Sequence, residues 1–252
     1  KCRDPLRRVP KCGTDWMRPE TKAAAEQHAE KEYPREACGL VIIVKGKERY
    51  FPCRNIATEE MSFVMEPRDY AAADDAGAIT AVVHSHPNMK PKASMADRAA
   101  MEASGLPWHI VGWPTGLWAS YEPEGWKPPL IGREWCYGTL DCYALARDWY
   151  KQEWGLELSD YERHGEWWHK GMNTFVENFA NEDFVSVGQD AEPQYGDALL
   201  MQIVSPVSNH VAVYIGDDLI LQHLERRLSS RDLWSGYYRK NTTHILRHRS
   251  RL

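Results

Sequence analysis

The sequence predicts an α+β protein of two domains, and three observations support this prediction. The chain has 252 residues, which suits two modest domains better than one average domain. Residues 122–132 read EPEGWKPPLIG, with three prolines and two glycines, a composition typical of a semi-rigid linker. Before this stretch strands and helices interleave, whereas after it helices come first and strands follow. We therefore predict a first domain over residues 17–122 and a second over residues 133–252.

The first half shows short elements separated by turn residues. A helix is predicted from Pro19 to before Pro34, because proline disfavours helix in the residue preceding it. Further helices are predicted over residues 67–76, where a proline occupies the first turn, and 94–104. Strands are predicted over residues 37–44, a segment ending near Cys53, and residues 61–65, 79–86, 108–112 and 117–121.

The second half changes character along its length. Two helices are predicted first, over residues 141–154 and 166–180. Apolar runs with turn residues between them then predict antiparallel strands over residues 198–203, 210–215 and 219–224. A last strand over residues 244–248 is expected to close this sheet.

Composition excludes several classes of function. A net charge of −5 and a pI near 6.1 do not suggest a nucleic-acid binder, and no long basic run indicates a site for anionic membranes. The longest clean apolar run, Gly39 to Val44, is far too short to span a bilayer. Six cysteines without a CxxC pair suggest a reducing compartment rather than a disulfide framework. Cys2 and Cys12 lie in a Pro- and Arg-rich leader to which we assign no function.

A first set of chemical residues follows the pattern H-x-H-x(7)-S-x(2)-D, formed by His84, His86, Ser94 and Asp97. Positions i and i+2 of a strand point to the same face, so the two imidazoles are expected side by side. Two histidines and one carboxylate leave the fourth position of a tetrahedral zinc open for water. Ser94 and Asp97 also match a helix N-cap with an acidic third residue, and both roles are compatible.

The segments EACGLVIIV, which begins at Glu36, and HSHPNMKPKASMAD resemble the JAMM (MPN) metallopeptidase family over about residues 19–121. The resemblance implies an α/β/α sandwich in which His84, His86 and Asp97 bind Zn²⁺. It further implies that Ser94 helps to stabilise an oxyanion. Glu36 matches the general base that activates water, although a lone glutamate there is also compatible with a solvated loop charge.

A second set of residues begins at Asp141-Cys142, where a helix is predicted to start. The positive end of the helix dipole favours a thiolate, so Cys142 is expected to be alkylated faster than the other cysteines at neutral pH. The alternative is a buried structural cysteine. His210 heads one predicted strand and His223 lies on the next, so His210 is expected to act as base and His223 to orient it. A half-buried strand histidine is the alternative for His223.

The order DC…GDALL…NHVAVYIG…LILQH resembles the NlpC family of papain-like cysteine peptidases over about residues 133–252. The resemblance implies that Cys142 is the nucleophile, His210 the base and His223 the third polar residue. Two positions depart from the family pattern: Tyr195 replaces the proline of a Pro-Gly-Asp step, and Tyr143-Ala144 replaces Ser-Gly after the cysteine. Such enzymes cleave stem peptides of peptidoglycan.

The pairing of these two domains in one short chain resembles lambda-like phage tail-tip assembly proteins. That resemblance implies a location in the host cytoplasm during assembly or at the virion tail tip, with other tail-tip proteins as partners. Peptidoglycan stem peptides or a tail-tip protein would be the substrate. The alternative is an assembly scaffold, or a cell-wall binder that uses its tryptophans, with inactive or structural sites. Tyr137, Trp108, Trp113 and the pair Trp167-Trp168 are candidates for ligand contacts or for core packing.

Overall fold

A computed structural model describes residues 16–58, 61–161, 163 and 167–252. The leader cysteines Cys2 and Cys12, and Glu166 at the start of a predicted helix, lie outside these residues. The chain groups into two compact units that divide between Gly125 and Trp126, except that residues 94–100 group with the second unit. Each contains one sheet with helices packed on it, which confirms the α+β class. No helix in the described ranges has the length and apolarity needed to cross a bilayer.

The first unit contains a five-stranded sheet in the order β2-β1-β3-β4-β5, in which only β3 and β4 run parallel. Its helices are α1 (Pro19–Glu32) and α2 (Pro67–Ala76), and the last four residues of α3 (Met95–Ser104) also belong to it. Its strands are β1 (Cys38–Val44), β2 (Lys47–Cys53), β3 (Ala78–Pro87), β4 (Trp108–Trp113) and β5 (Leu117–Tyr121).

Helix α1 packs on one face of this sheet, and the two histidines of β3 lie on the opposite face. Its buried residues Thr21, Ala25 and Ala29 recur every four positions and form a narrow stripe of small side chains. Ala25 packs with Val83 of β3, among other apolar residues. Because successive strand residues point to opposite faces, Val83 faces α1 while His84 and His86 point to the other side of the sheet.

The second unit contains a six-stranded antiparallel sheet in the order β10-β9-β8-β7-β11-β6. Its helices are α4 (Cys142–Trp154), α5 (Thr174–Asn178) and α6 (Gly236–Asn241). Its strands are β6 (Phe184–Ser186), β7 (Ala198–Met201), β8 (His210–Tyr214), β9 (Leu219–Gln222), β10 (Ser230–Leu233) and β11 (Thr242–His248).

Alternation along the strands divides the core of this unit into two layers. Leu145 and Trp149 of α4 pack with Val211 and Val213 of β8 in the larger layer. Ala212 instead belongs to a second apolar cluster on the opposite face of the sheet. Helix α4 therefore covers the face of β8 that carries Val211 and Val213, and Ala212 lies on the other face; His210 is the first residue of β8, at the end of the strand.

The Tyr195-Gly196-Asp197 step before β7 has a structural role. Gly196 has a φ of +87°, and a Cβ atom there would lie 2.0 Å from the Trp154 ring, so only glycine fits. The Asp197 carboxylate accepts two hydrogen bonds from Arg247, at 2.9 and 2.7 Å. This paired contact holds the start of β7 to β11.

The structure corrects the predicted strand over residues 61–65. Only Met65 makes a bridge, to Asn55, and no strand forms. The Asn55 side chain donates to the Ser62 carbonyl and accepts from the Val64 amide. One buried amide side chain thus satisfies the backbone that a strand ladder would otherwise have paired.

The helix predicted over residues 166–180 is also wrong. Its described part forms a 3₁₀ turn at Trp167–Lys170, the short α5 and a second 3₁₀ turn from Phe179. Gly171 adopts a φ of +77° between the first two pieces, which a right-handed helix does not allow. The turn lets Trp167 and Phe175 enter the same core cluster. Strands β6 and β10 and helix α6 were not predicted.

Candidate active sites

The first site is built on the end of β3. His84 and His86 are 1% and 5% exposed, and their Nε2 atoms lie 3.1 Å apart. Two nitrogens that each bind one tetrahedral zinc at about 2.05 Å are separated by about 3.3 Å. The spacing therefore fits a shared metal ion, as the i, i+2 pattern predicts.

The surroundings of His86 favour metal binding through Nε2, and those of His84 restrict the orientation of its ring. The Nδ1 atom of His86 lies 3.2 Å from the Lys90 carbonyl oxygen, which can only accept, so Nδ1 carries the proton and Nε2 keeps its lone pair. The His84 ring packs against Phe63 and Trp108, with ring centroids 4.9 and 5.4 Å away. These aromatic walls limit the rotation of the imidazole.

Asp97 completes a group of three possible metal ligands whose donor atoms all lie within 4.8 Å of one another. It is 9% exposed and lies in the first turn of α3. Its Oδ2 accepts from the Ser94 amide at 2.7 Å and from the Ser94 hydroxyl at 2.8 Å, while the Asp97 amide donates to Ser94 Oγ at 3.1 Å. This reciprocal cap and a ligand position coexist, as the sequence allowed.

The cap geometry bears on the role predicted for Ser94. A hydroxyl has one proton, and here Ser94 directs it to the Asp97 carboxylate. In this arrangement Ser94 orients the carboxylate, and stabilising an oxyanion would require its hydroxyl to rotate away.

Glu36 lies directly before β1 and is 4% exposed. The antiparallel register pairs Cys38 with His84, and the Ser85 amide donates to the Ala37 carbonyl at 2.9 Å. Continuing this register places Glu36 opposite His86, and opposite residues share a face. The carboxylate thus lies on the same side of the sheet as the two imidazoles, although Glu36 precedes His84 by 48 positions in the sequence.

The second site lies at the N-terminus of α4. Asp141 is the N-cap of this helix and accepts from the Ala144 amide at 2.8 Å. The Arg163 guanidinium donates to Asp141 Oδ2 at 2.9 Å, and the side chains of Arg163 and Asp141 are 2% and 4% exposed. A buried ion pair therefore supports the residue that precedes Cys142. The sequence prediction did not include Arg163, and no local pattern marks it.

Cys142 and His210 line one cavity of about 310 Å³. Burial, followed by the neighbouring Asp141 carboxylate, raises the pKa of the Cys142 thiol to about 12. Burial lowers the pKa of His210 to about 4, against the opposing effect of its hydrogen bond to Gln222. Burial therefore favours the neutral form of both groups, which opposes the effect that the helix dipole was expected to have on the thiol.

The residue that contacts the His210 ring is Gln222, not His223. His210 Nε2 lies 3.0 Å from Gln222 Oε1. The β8–β9 register pairs Val213 with Leu221, so even-numbered residues of both strands share a face and His223 points away from it. The His223 Nε2 instead lies 3.1 Å from the Arg227 carbonyl. The orienting role predicted for His223 is therefore wrong; the same parity, read across the tight turn between the strands, points to Gln222.

The aromatic candidates divide by burial. Trp108 is 5% exposed and packs inside its unit, which favours a core role for this residue; Trp167 is 4% exposed, packs in the core and also borders the cavity that contains Cys142. Tyr137 and Trp168 line the cavity that contains Cys142. They remain candidates for contacts with a bound substrate.

Comparison with known proteins agrees with this division of the chain. Residues 20–127 match the family described as prokaryotic homologs of the JAB domain, and residues 129–247 match the NlpC/P60 family. A solved JAB1/MPN domain protein from Archaeoglobus fulgidus is 19% identical, with a TM-score of 0.29, over 41% of this chain and 84% of that chain.

Two curated relatives cover most of the chain. Tail tip assembly protein K of Escherichia phage N15 is 39% identical over 237 residues, which are 92% of this chain and 96% of the relative. Tail tip assembly protein K of Escherichia phage lambda is 37% identical over 186 residues, which are 74% of this chain and 90% of the relative. This chain therefore belongs to the family of phage tail tip assembly protein K, with a JAB-homologous domain followed by an NlpC/P60 domain.

Proposed function

We propose that this chain acts in phage tail tip assembly and carries two hydrolytic sites, one zinc-dependent and one of the cysteine–histidine type. The assembly role follows from the names of its relatives. The observation that best supports hydrolysis is the convergence of His84 and His86, whose Nε2 atoms are 3.1 Å apart, on the face that Glu36 shares.

In the first site, His84, His86 and Asp97 would hold the metal. A bound zinc supplies a Lewis acid and lowers the pKa of water at its open position to about 7. Glu36 accepts the proton of the attacking water and returns it to the leaving amine. Ser94 keeps the Asp97 carboxylate oriented. The substrate of this site is a peptide bond, in a tail protein under our proposal.

In the second site, the neutral His210 takes the proton of the Cys142 thiol as the sulfur attacks a carbonyl carbon. Because burial favours the neutral thiol, the sulfur depends on this adjacent base for its activation. Gln222 holds the imidazole through its Oε1 atom. The substrate class is the stem peptide of peptidoglycan, and Tyr137 and Trp168 border the cavity that would receive it.

A peptidoglycan digest, followed by mass spectrometry of the released fragments, tests the second activity. We expect wild type and Glu36→Ala to release stem-peptide fragments and Cys142→Ala to release none. Cys136→Ala is the matched control, since it removes a thiol six residues away that is only half-buried. Cleavage that persists in Cys142→Ala would contradict the assigned nucleophile.

Metal content and peptide hydrolysis together test the first activity. We expect Glu36→Gln to retain one zinc per chain, measured by inductively coupled plasma mass spectrometry, and to lose zinc-dependent cleavage of tail proteins. Glu30→Gln makes the same chemical change at an exposed position of α1 and should preserve both. Loss of zinc in Glu36→Gln would contradict the assignment of Glu36 as the general base.

One observation favours the alternative of an assembly scaffold or cell-wall binding factor with inert sites. Cys142 is 5% exposed, and burial raises the pKa of its thiol to about 12. No cleavage of peptidoglycan or of tail proteins by any form, with retained binding to insoluble peptidoglycan, would support this alternative.

A further inference from the structure

We propose that Asp232 is a positioning residue of the cysteine–histidine site: it fixes the amide orientation of Gln222, so that His210 carries its proton on Nε2 and keeps the Nδ1 lone pair for the thiol. This inference rests on the proposed function for its catalytic consequence, but the proton position itself can be tested without turnover.

A series of hydrogen bonds connects side chains of β8, β9 and β10. Gln222 Nε2 donates to Asp232 Oδ2 at 2.7 Å, and Ser230 Oγ donates to the same oxygen at 2.8 Å. The β9–β10 register pairs Ser230 with Gln222, which places Asp232 diagonally across on the same face. Gln222 is 1% exposed and Asp232 is half-buried, so water competes little for the amide.

The donor and acceptor capacities of these groups determine the orientation of the Gln222 amide and the nitrogen of His210 that carries the proton. A carboxylate can only accept, so the NH₂ of Gln222 must face Asp232 and its Oε1 must face His210. A carbonyl oxygen also only accepts, so His210 Nε2 must be the protonated nitrogen. In a neutral imidazole the other nitrogen, Nδ1, then holds the lone pair.

The neutral state of the ring is what makes this choice matter. Burial lowers the pKa of His210 to about 4, so at pH 7 the ring has one proton and two possible tautomers. A flipped Gln222 would present its NH₂ to Nε2 and stabilise the tautomer protonated on Nδ1. That tautomer cannot accept the proton of Cys142, because its remaining lone pair faces Gln222.

Asp232 therefore acts through Gln222 rather than on reacting atoms. Without an acceptor at position 232, the two amide orientations lose the contact that distinguishes them. Ser230 cannot take over this role, because a hydroxyl that is released from Asp232 can either donate or accept and therefore does not favour one orientation of the Gln222 amide.

The test is ¹⁵N NMR of the full chain with ¹⁵N-labelled histidine, in which the His210 signals are assigned from their absence in His210→Gln. In wild type we expect a protonated Nε2 and an unprotonated Nδ1. Asp232→Leu, which removes the acceptor at similar volume, should populate the Nδ1-protonated tautomer. Asp232→Asn offers an amide oxygen to Gln222 and should restore the wild-type pattern.

Arg231→Leu is the matched control, because it places the same side chain at the next, exposed position of β10 and should leave the tautomer unchanged. On substrate, Asp232→Leu should lower kcat by about 10²-fold, the lower end of what a general base contributes, with KM within about twofold. A wild-type tautomer in Asp232→Leu overturns the inference. An inactive wild type with the expected tautomers would overturn the proposed peptidase and leave Asp232 as the determinant of the proton position.

Discussion

Replacing Arg163 with methionine tests whether the ion pair beside Cys142 maintains the start of α4. The guanidinium donates to Asp141 at 2.9 Å, to the Gly138 carbonyl at 3.2 Å and to Asp160 at 2.8 Å. It also lies 4.6 Å above the Tyr143 ring. Methionine fills much of the volume but leaves the Asp141 carboxylate buried without its cation.

The expected cost follows from what Asp141 retains. Removing one partner of a buried ion pair typically costs 3–5 kcal/mol. Asp141 still accepts from the Gly138 amide at 3.0 Å and the Ala144 amide at 2.8 Å, and it remains at the positive end of α4. We therefore expect the lower end of the range, about 3 kcal/mol. Asp141→Asn combined with Arg163→Met removes the stranded charge while keeping a capping side chain, and should recover at least 1 kcal/mol of that loss.

Hydrogen exchange measured by mass spectrometry on the α4 peptide suits a two-domain chain, because it reports the local opening free energy without assuming a single transition. Arg226→Met is the control at a 90% exposed arginine and should change that free energy by less than about 0.5 kcal/mol. A decrease in the opening free energy of α4 of less than about 1 kcal/mol in Arg163→Met would refute the reasoning. So would a double variant in which the decreases caused by the two substitutions simply add.

Three other predictions follow from the burial of titratable groups and from the metal ligands. At neutral pH iodoacetamide should label Cys142 more slowly than the half-buried Cys136, measured by peptide mass spectrometry, and faster labelling of Cys142 would show a thiolate. Burial lowers the pKa of both His210 and His223 to about 4, below the unfolded value of about 6.5. The unfolded chain therefore binds protons first, and stability that is complete above pH 6.5 should fall toward pH 4 by about 1.4 kcal/mol per pH unit for each histidine. Denaturant titrations at several pH values should show that the unfolding free energy of wild type falls toward pH 4 more steeply than that of His210→Gln, by about 1.4 kcal/mol per pH unit. Equal pH dependences would argue against a buried neutral ring. Zinc at 100 times its Kd should stabilise the first unit by about 2.7 kcal/mol in thermal unfolding, and His86→Gln should abolish this effect.

Local patterns were sufficient for most elements and for the candidate metal ligands, whose donor atoms the structure brings together. The proline at the start of α1, the apolar run of β1 and the turn between β8 and β9 are properties of adjacent residues, and each was placed within a few positions. The spacing of His84 and His86 predicts their shared face because strand side chains alternate with a fixed period of two. The capping pattern of Ser94 and Asp97 is equally local, and the structure contains it.

Tertiary structure decided the partners and the proton positions. His223 and Gln222 differ by one residue, and only the pairing of β9 with β8 determines which of them faces His210. Arg163 reaches Asp141 from 22 positions along the chain, which no local pattern encodes. The helix dipole favours a Cys142 thiolate, but burial among packed side chains raises the pKa of the thiol instead. The sequence by itself thus determined which residues are candidates for each site, because spacing, turns and helix caps depend on residues that are adjacent along the chain. Register, burial and charge state depend on segments far apart in the sequence, so they became defined only when the sheet was assembled.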